Sequence, residues 1–192
     1  MERRKAFITG AASGIGRATA IRFAAEGYDV CLNDVQKKKS EEVLNELPPG
    51  RHLLLSGSYA EEAFMRKGTD RIKKEWGRLD VLINCAGLTE KTDLMEMDLQ
   101  SWRRISDIML NGCLLSTRLA VTLMKAGGRI VHISSIHGTR AEQFAGSYSM
   151  AKAAINQFCR SMALELADRQ ILVNAIAPGF VNTPMSVSGG IN

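Results

Sequence analysis

Residues 5–16 read Lys5-Ala6-Phe7-Ile8-Thr9-Gly10-Ala11-Ala12-Ser13-Gly14-Ile15-Gly16. An apolar run of strand character, Lys5 to Ile8, passes directly into a turn with glycines at 10, 14 and 16. The stretch Gly14 to Glu26 then reads as a helix closed by Gly27, a glycine C-cap. Glycines between a strand and a helix let backbone N–H groups approach a phosphate, and the helix N-terminus adds partial positive charge. A side chain would block that approach. The spacing is G-x-x-x-G-x-G, which differs from the G-x-G-x-x-G fingerprint, but the first βα turn is where a phosphate cradle belongs.

Beyond this turn the alternation continues. Tyr28 to Asn33 reads as a strand, Lys37 to Glu46 as a helix, and Pro48-Pro49-Gly50 as a break. His52 to Leu55, Ala60 to Trp76 and Leu79 to Asn84 follow as strand, helix and strand. Gln100 to Lys125 reads as one long helix and Arg129 to Ile133 as the fifth strand. Ser147 to Ala167 is a helix with Ala151, Ile155, Phe158, Met162 and Leu166 on one face, and Ile171 to Ile176 is the sixth strand. Strands alternating with helices of this length imply an α/β fold, a doubly wound parallel sheet of Rossmann-like type. Ligands are then expected at the C-terminal ends of the strands.

The chain has 192 residues, a length suited to one domain, residues 1–192, and its 45% hydrophobic content suffices for a core. No apolar stretch approaches the ~18 residues that span a bilayer, and Ala6-Phe7-Ile8 is too short for a secretory signal. The net charge of +5 is spread over short basic clusters such as Lys37–Lys39, which read as solvated surface rather than a nucleic-acid footprint. Cys31, Cys85, Cys113 and Cys159 are widely spaced, with no C-x-x-C pair. They suggest neither a metal site nor a disulfide framework, and fit a reducing, cytoplasmic setting. No nucleic-acid or membrane partner is expected.

Asp34 ends the second strand. An acidic group at this place hydrogen-bonds the ribose hydroxyls of an adenosine and repels a 2′-phosphate, which favours NAD over NADP. Lys37–Lys39 follow closely and soften that repulsion. Tyr148 and Lys152 lie four apart in a helix and share a face. Ser134-Ser135 ends the fifth strand and Asn84-Cys85-Ala86-Gly87 the fourth.

Together these residues resemble the classical short-chain dehydrogenase/reductase family over nearly the whole chain. Thr9 to Gly16 resembles its T-G-x-x-x-G-x-G cofactor turn, which marks Gly10, Ser13, Gly14, Ile15 and Gly16 as cofactor-binding. Asn84 to Gly87 is similar to its N-N-A-G segment, with Cys85 in the second place, and adds Asn84, Ala86 and Gly87. Asn111, Ser135, Tyr148 and Lys152 fall where the resemblance implies a catalytic tetrad. Pro178-Gly179 followed by Thr183 resembles the P-G-x-x-x-T segment beside the nicotinamide.

The implied activity is NAD-dependent interconversion of a secondary alcohol, with a sugar or polyol as first choice, and its carbonyl compound. The alternative is a non-catalytic dinucleotide-binding protein of the same fold. A hydride leaves a carbinol carbon only as the hydroxyl proton departs, so a base must lie within hydrogen-bond reach. A free phenol with pKa of about 10 is a poor base, and the Lys152 ammonium and a positive nicotinamide would favour its phenolate. The resemblance further implies that Ser135 holds the substrate oxygen, that Lys152 also grips the nicotinamide ribose and that Asn111 positions a relay water. It implies a homodimer or homotetramer as well.

Three features depart from the family pattern. Gly57-Ser58 stands where an Asp near the adenine is usual, and Gln170 where a turn glycine is common. Family members also continue past the proline–glycine segment with a helical lid and a seventh strand. The natural protein is therefore expected to be longer, and a chain ending at Asn192 to be poorly stable and nearly inactive. Ser188–Asn192 would belong to the lid or to the start of the last strand.

Overall fold

Six strands form one sheet in the computed structural model, which describes residues 2–188: β1 (Lys5–Thr9), β2 (Asp29–Asp34), β3 (Leu53–Ser56), β4 (Val81–Asn84), β5 (Arg129–Ile133) and β6 (Leu172–Ile176). Every pairing is parallel, and the order is β3-β2-β1-β4-β5-β6. The order reverses between β1 and β4. That switch point puts the glycine turn and the Asn84–Gly87 segment side by side at the C-terminal edge, where such sheets bind ligands.

Helices cover both faces. On one, α1 (Gly14–Ala25) and α2 (Lys37–Glu46) pack Ala20, Ala24 and Val43 onto Ala6, Ile8, Val30 and Leu32. On the other, α3 (Glu62–Trp76), α5 (Gly112–Leu123) and α6 (Gly146–Glu165) pack Met65, Ile72, Leu123 and Cys159 against Phe7, Leu82 and Ile130. The helix α4 (Leu99–Ser106) precedes α5, and a short α7 (Pro184–Ser188) follows β6. Among the described residues no helix is long and apolar enough to cross a membrane.

The single helix expected over Gln100–Lys125 is in fact α4, a π-helical turn at Asp107–Asn111, and α5. The cause is a side chain from elsewhere. Tyr59 donates its hydroxyl hydrogen bond to the carbonyl of Ile108. The Gly112 N–H reaches one residue further back, to Asp107 O. A Cβ at Gly112 would lie 2.5 Å from the Tyr59 ring, so only glycine admits that ring. No periodicity within 100–125 carries this information, because the residue responsible lies 49 residues before Ile108.

Two features of the sheet bear on the site. Thr9, Asn33, Asn84 and His132 share one register across β2, β1, β4 and β5, forming a buried polar row just below the ligand edge. At the other side, the α1 face of β5 and β6 is open. Leu172 and Ile176 are 53% and 55% exposed, and a groove of about 640 Å³ runs between α1 and Val131, Ile133 and Ile176. Residues 189–192, part of the segment assigned to a lid or last strand, lie outside the described residues.

Candidate active site

The glycine turn fits a phosphate. Gly10 has φ +66°, and a Cβ there would lie 2.7 Å from Ala86 Cα, so the turn and the 84–87 segment touch backbone to backbone. A Cβ at Gly16 would lie 2.1 Å from Gly10 O, so α1 can begin this close to the turn only with glycine. Ser13 is the N-cap in extended conformation and makes no side-chain bond to the helix's first N–H groups. Those donors, with the helix dipole behind them, suit a pyrophosphate. Ile15 and Gly14 line one end of the open groove with Thr183, whose methyl would stand 3.2 Å from a Cβ at Gly14.

Asp34 lies at the end of β2, half-buried. Its Oδ2 accepts from Ala12 N at 3.1 Å and its Oδ1 from Gln36 N at 2.9 Å. The carboxylate is thereby fixed beside the glycine turn, with lone pairs left for a pair of ribose hydroxyls.

At the end of β5 the structure brings Ser135, Tyr148 and Lys152 together. Ser135 caps a 3-10 turn, its Oγ accepting from His137 N at 3.2 Å, and its hydrogen bond to Tyr148 favours the phenolate. Lys152 is buried, and its Nζ donates to Ile133 O at 2.6 Å and sits over the Tyr148 ring, 5.5 Å from the centroid. Burial pulls the ammonium pKa down to about 8. Burial also pushes Tyr148 above the ordinary phenol value, and the Ser135 bond offsets only part of that rise. The expected lowering joined the Lys152 ammonium to a positive nicotinamide ring, and the first by itself does not supply it. In the chain by itself the ammonium faces the ring and a carbonyl, and desolvation wins.

Asn111 is not brought to this group. It is exposed, and its Nδ2 donates to Asp107 Oδ1 at 2.8 Å across the π turn. The extra residue of that turn rotates Asn111 outward and Met109 inward. Met109 is 1% exposed, with Sδ 3.0 Å from where a Gly87 Cβ would be, and Lys152 Nζ lies 4.0 Å from that same point. A thioether, not a carboxamide, therefore packs at Gly87, the glycine that Lys152 also approaches.

The remaining predicted residues frame the same edge. Ala86 N donates to Thr9 Oγ1 at 3.1 Å, and the carbonyl of Ala86 accepts from Tyr59 at 3.1 Å. Pro178 O accepts from Ile136 N at 3.0 Å, tying the segment after β6 to the turn that carries Ser135, while Gly179 is exposed. Sequence reasoning overlooked Tyr59 and His132 as parts of the site, since neither carries a local signal. His137 and Glu142, both between Ser135 and Tyr148 in sequence, are likewise joined only by the fold. The His137 ring meets Tyr148 edge-on at 5.9 Å, its Nε2 lies 3.2 Å from Glu142, and Glu142 pairs with Lys91 at 3.0 Å. Among the described residues no group of three His, Cys, Asp or Glu is placed to hold a metal ion.

Residues 4–190 match the family described as short chain dehydrogenase. A 3-oxoacyl-[acyl-carrier-protein] reductase of Thermotoga maritima is 34% identical over 190 residues, covering 97% of this chain and 77% of its own. A cis-4-hydroxycyclohexanecarboxylate dehydrogenase of Sinomonas cyclohexanicum is 40% identical over 187 residues, covering 95% of this chain and 75% of its own. A short chain dehydrogenase of Burkholderia cenocepacia, solved in complex with NADP, superposes with a TM-score of 0.88 at 28% identity. It covers 95% of this chain and 76% of its own.

Proposed function

We propose, for a chain that belongs to the short chain dehydrogenase family, that it interconverts a secondary alcohol and its carbonyl compound using NAD. Residues 1–192 would act as one dinucleotide-binding and catalytic domain. The observation that carries this reading is the convergence of Ser135, Tyr148 and Lys152 at the end of β5. The glycine turn and the Asn84–Gly87 segment lie at the same edge of the sheet.

A nicotinamide dinucleotide bound there supplies the hydride acceptor and, when oxidised, a positive ring near the phenol. Gly10, Ser13, Gly14, Ile15 and Gly16 would hold its phosphates, and Asp34 its adenosine ribose. Ala86, Gly87, Pro178, Gly179 and Thr183 would border the nicotinamide half, with Asn84 fixing the segment from beneath. Tyr148 takes the proton from the substrate hydroxyl as the carbinol hydrogen leaves. Ser135 donates to the substrate oxygen and keeps it within reach of Tyr148. Lys152, largely ammonium below its pKa of about 8, holds positive charge by the phenol and is aimed by its bond to Ile133 O. Asn111 has no part in this scheme.

Asp34 supports NAD over NADP, since a carboxylate next to a 2′-phosphate is repulsive. The polar rim of His137, Glu142 and Lys91 supports a hydroxylated substrate, a sugar or polyol. Exposed Leu114, Met150 and Leu164 on α5 and α6 support a homodimer or homotetramer, which light scattering would detect as a mass above the monomer. A cytoplasmic enzyme is consistent with four free thiols.

A screen of alcohols and sugars with NAD, read as NADH absorbance, tests the assignment. Turnover of any secondary alcohol supports it. Tight NADH binding without turnover by the complete chain would instead favour a binding protein, a rival to which the apolar Met109 packed at Gly87 lends weight.

A further inference from the structure

We infer that His132, which contacts neither substrate nor cofactor in the proposed scheme, is a positioning residue for the dinucleotide site; the inference rests on the cofactor assignment above. His132 lies in β5, in the polar row that crosses the sheet, and is 1% exposed. Its Nδ1 is 3.2 Å from Asn84 Nδ2 and 3.1 Å from Cys113 Sγ. Burial keeps the imidazole neutral, with its pKa down at about 4, and pushes the Cys113 thiol up to about 12. With the carboxamide assigned by its hydrogen-bond network, Asn84 Nδ2 donates to Nδ1, which puts the ring proton on Nε2, buried and without a partner among the described residues. Phe158 of α6 backs the ring edge-on at 5.5 Å.

The consequence travels along the row. With Nδ2 held by His132, Asn84 turns its Oδ1 toward Ser116, which donates at 2.8 Å, and toward Thr9, at 3.5 Å. The Thr9 hydroxyl, its hydrogen directed at Asn84, is free to accept from Ala86 N at 3.1 Å. Ala86 in turn is the residue on which Gly10 closes. The neutral histidine thus sets the orientation of a carboxamide, the carboxamide sets a hydroxyl, and the hydroxyl fixes the loop that meets the glycine turn. A histidine protonated on Nδ1 would demand the opposite carboxamide orientation and leave Ala86 N competing for Thr9.

Replacing His132 by Asn tests this specifically, because an asparagine Oδ1 stands where Nδ1 stands relative to the backbone. Dissociation constants for NADH and NADPH are read by fluorescence titration of the full chain, alongside kcat at saturating cofactor and the melting temperature. His132→Leu leaves the Asn84 amide only the Cys113 sulfur at 3.9 Å, and an affinity loss of about tenfold for the tighter-binding cofactor is expected, with kcat changed by less than about threefold. His132→Asn should restore affinity to within about twofold of the wild type. Equal affinity in all three proteins overturns the role, as does a Leu variant that Asn fails to rescue.

Should His132→Leu not fold, Ser116→Ala removes the donor on the other side of Asn84 at little cost in volume. It should weaken cofactor binding about threefold, and unchanged binding overturns the role. A wild-type chain that binds neither NADH nor NADPH would overturn the cofactor assignment itself, and the positioning role with it.

Discussion

Asn111 and Asp107 are bonded to one another, Nδ2 to Oδ1 at 2.8 Å, on the outer side of a π-helical turn. The pair faces solvent, whereas Met109 between them in sequence is buried beside Gly87. Asn111→Ala should therefore change kcat by less than about twofold, since no group near Tyr148 is lost. Met109→Ala should cost about 2–5 kcal/mol of stability through the void it leaves. Steady-state kinetics and urea titration check the two, and a large drop in turnover for the Asn111 variant would return that residue to the mechanism.

Tyr148→Phe removes the proton acceptor and keeps the ring under the Lys152 ammonium. Turnover should fall by at least ~10²-fold, the low end for general acid–base catalysis, with little change in NADH affinity. A variant retaining most of its kcat would show that another group takes the proton.

Asp34 is held by two backbone N–H groups beside the glycine turn. A 2′-phosphate facing it should cost on the order of 1–3 kcal/mol, a tenfold to hundredfold preference for NAD. Asp34→Ala should narrow the gap, read as the ratio of the two dissociation constants. Equal affinities in the wild type would sink the NAD assignment.

His132 also makes the fold acid-sensitive. Its pKa falls from the ordinary 6.5 to about 4 because burial penalises the imidazolium and Lys152 repels it. The unfolded chain then binds the proton first. The His132 contribution is complete above pH 6.5 and is lost as the pH drops toward 4, by about 3 kcal/mol in all. His132→Asn should flatten the urea midpoint across that window, and an unchanged pH dependence would place the acid sensitivity elsewhere.

The parallel sheet, its six strands and the glycine turn were legible because each rests on short-range pattern, an apolar run or a strand–glycine–helix junction. Tyr148 and Lys152 were legible for the same reason, four residues apart on one helix. The outward position of Asn111 was not legible, because its helical face depends on a residue inserted in the turn against which Tyr59 packs. His132 and Met109 read as ordinary core residues, and only the register of β4 against β5 and the packing around Gly87 show what they adjoin. Gln170 adopts φ +54°, so the turn before β6 keeps the left-handed backbone expected of a glycine although the residue is not one. That backbone conformation favours Gly.

Among the described residues β6 pairs with β5 alone, and its open face carries Leu172 and Ile176. Protection from amide exchange should accordingly grade across the sheet, slowest in β1 and β4 and fastest in β6. The grading divides the site. The phosphate cradle hangs on the slowest-opening strands, while Pro178 and the turn that presents Ser135 are anchored to the fastest. An opening at β6 thus loosens the ties of Ser134 and Ile136 while the cradle, with any dinucleotide on it, stays in place.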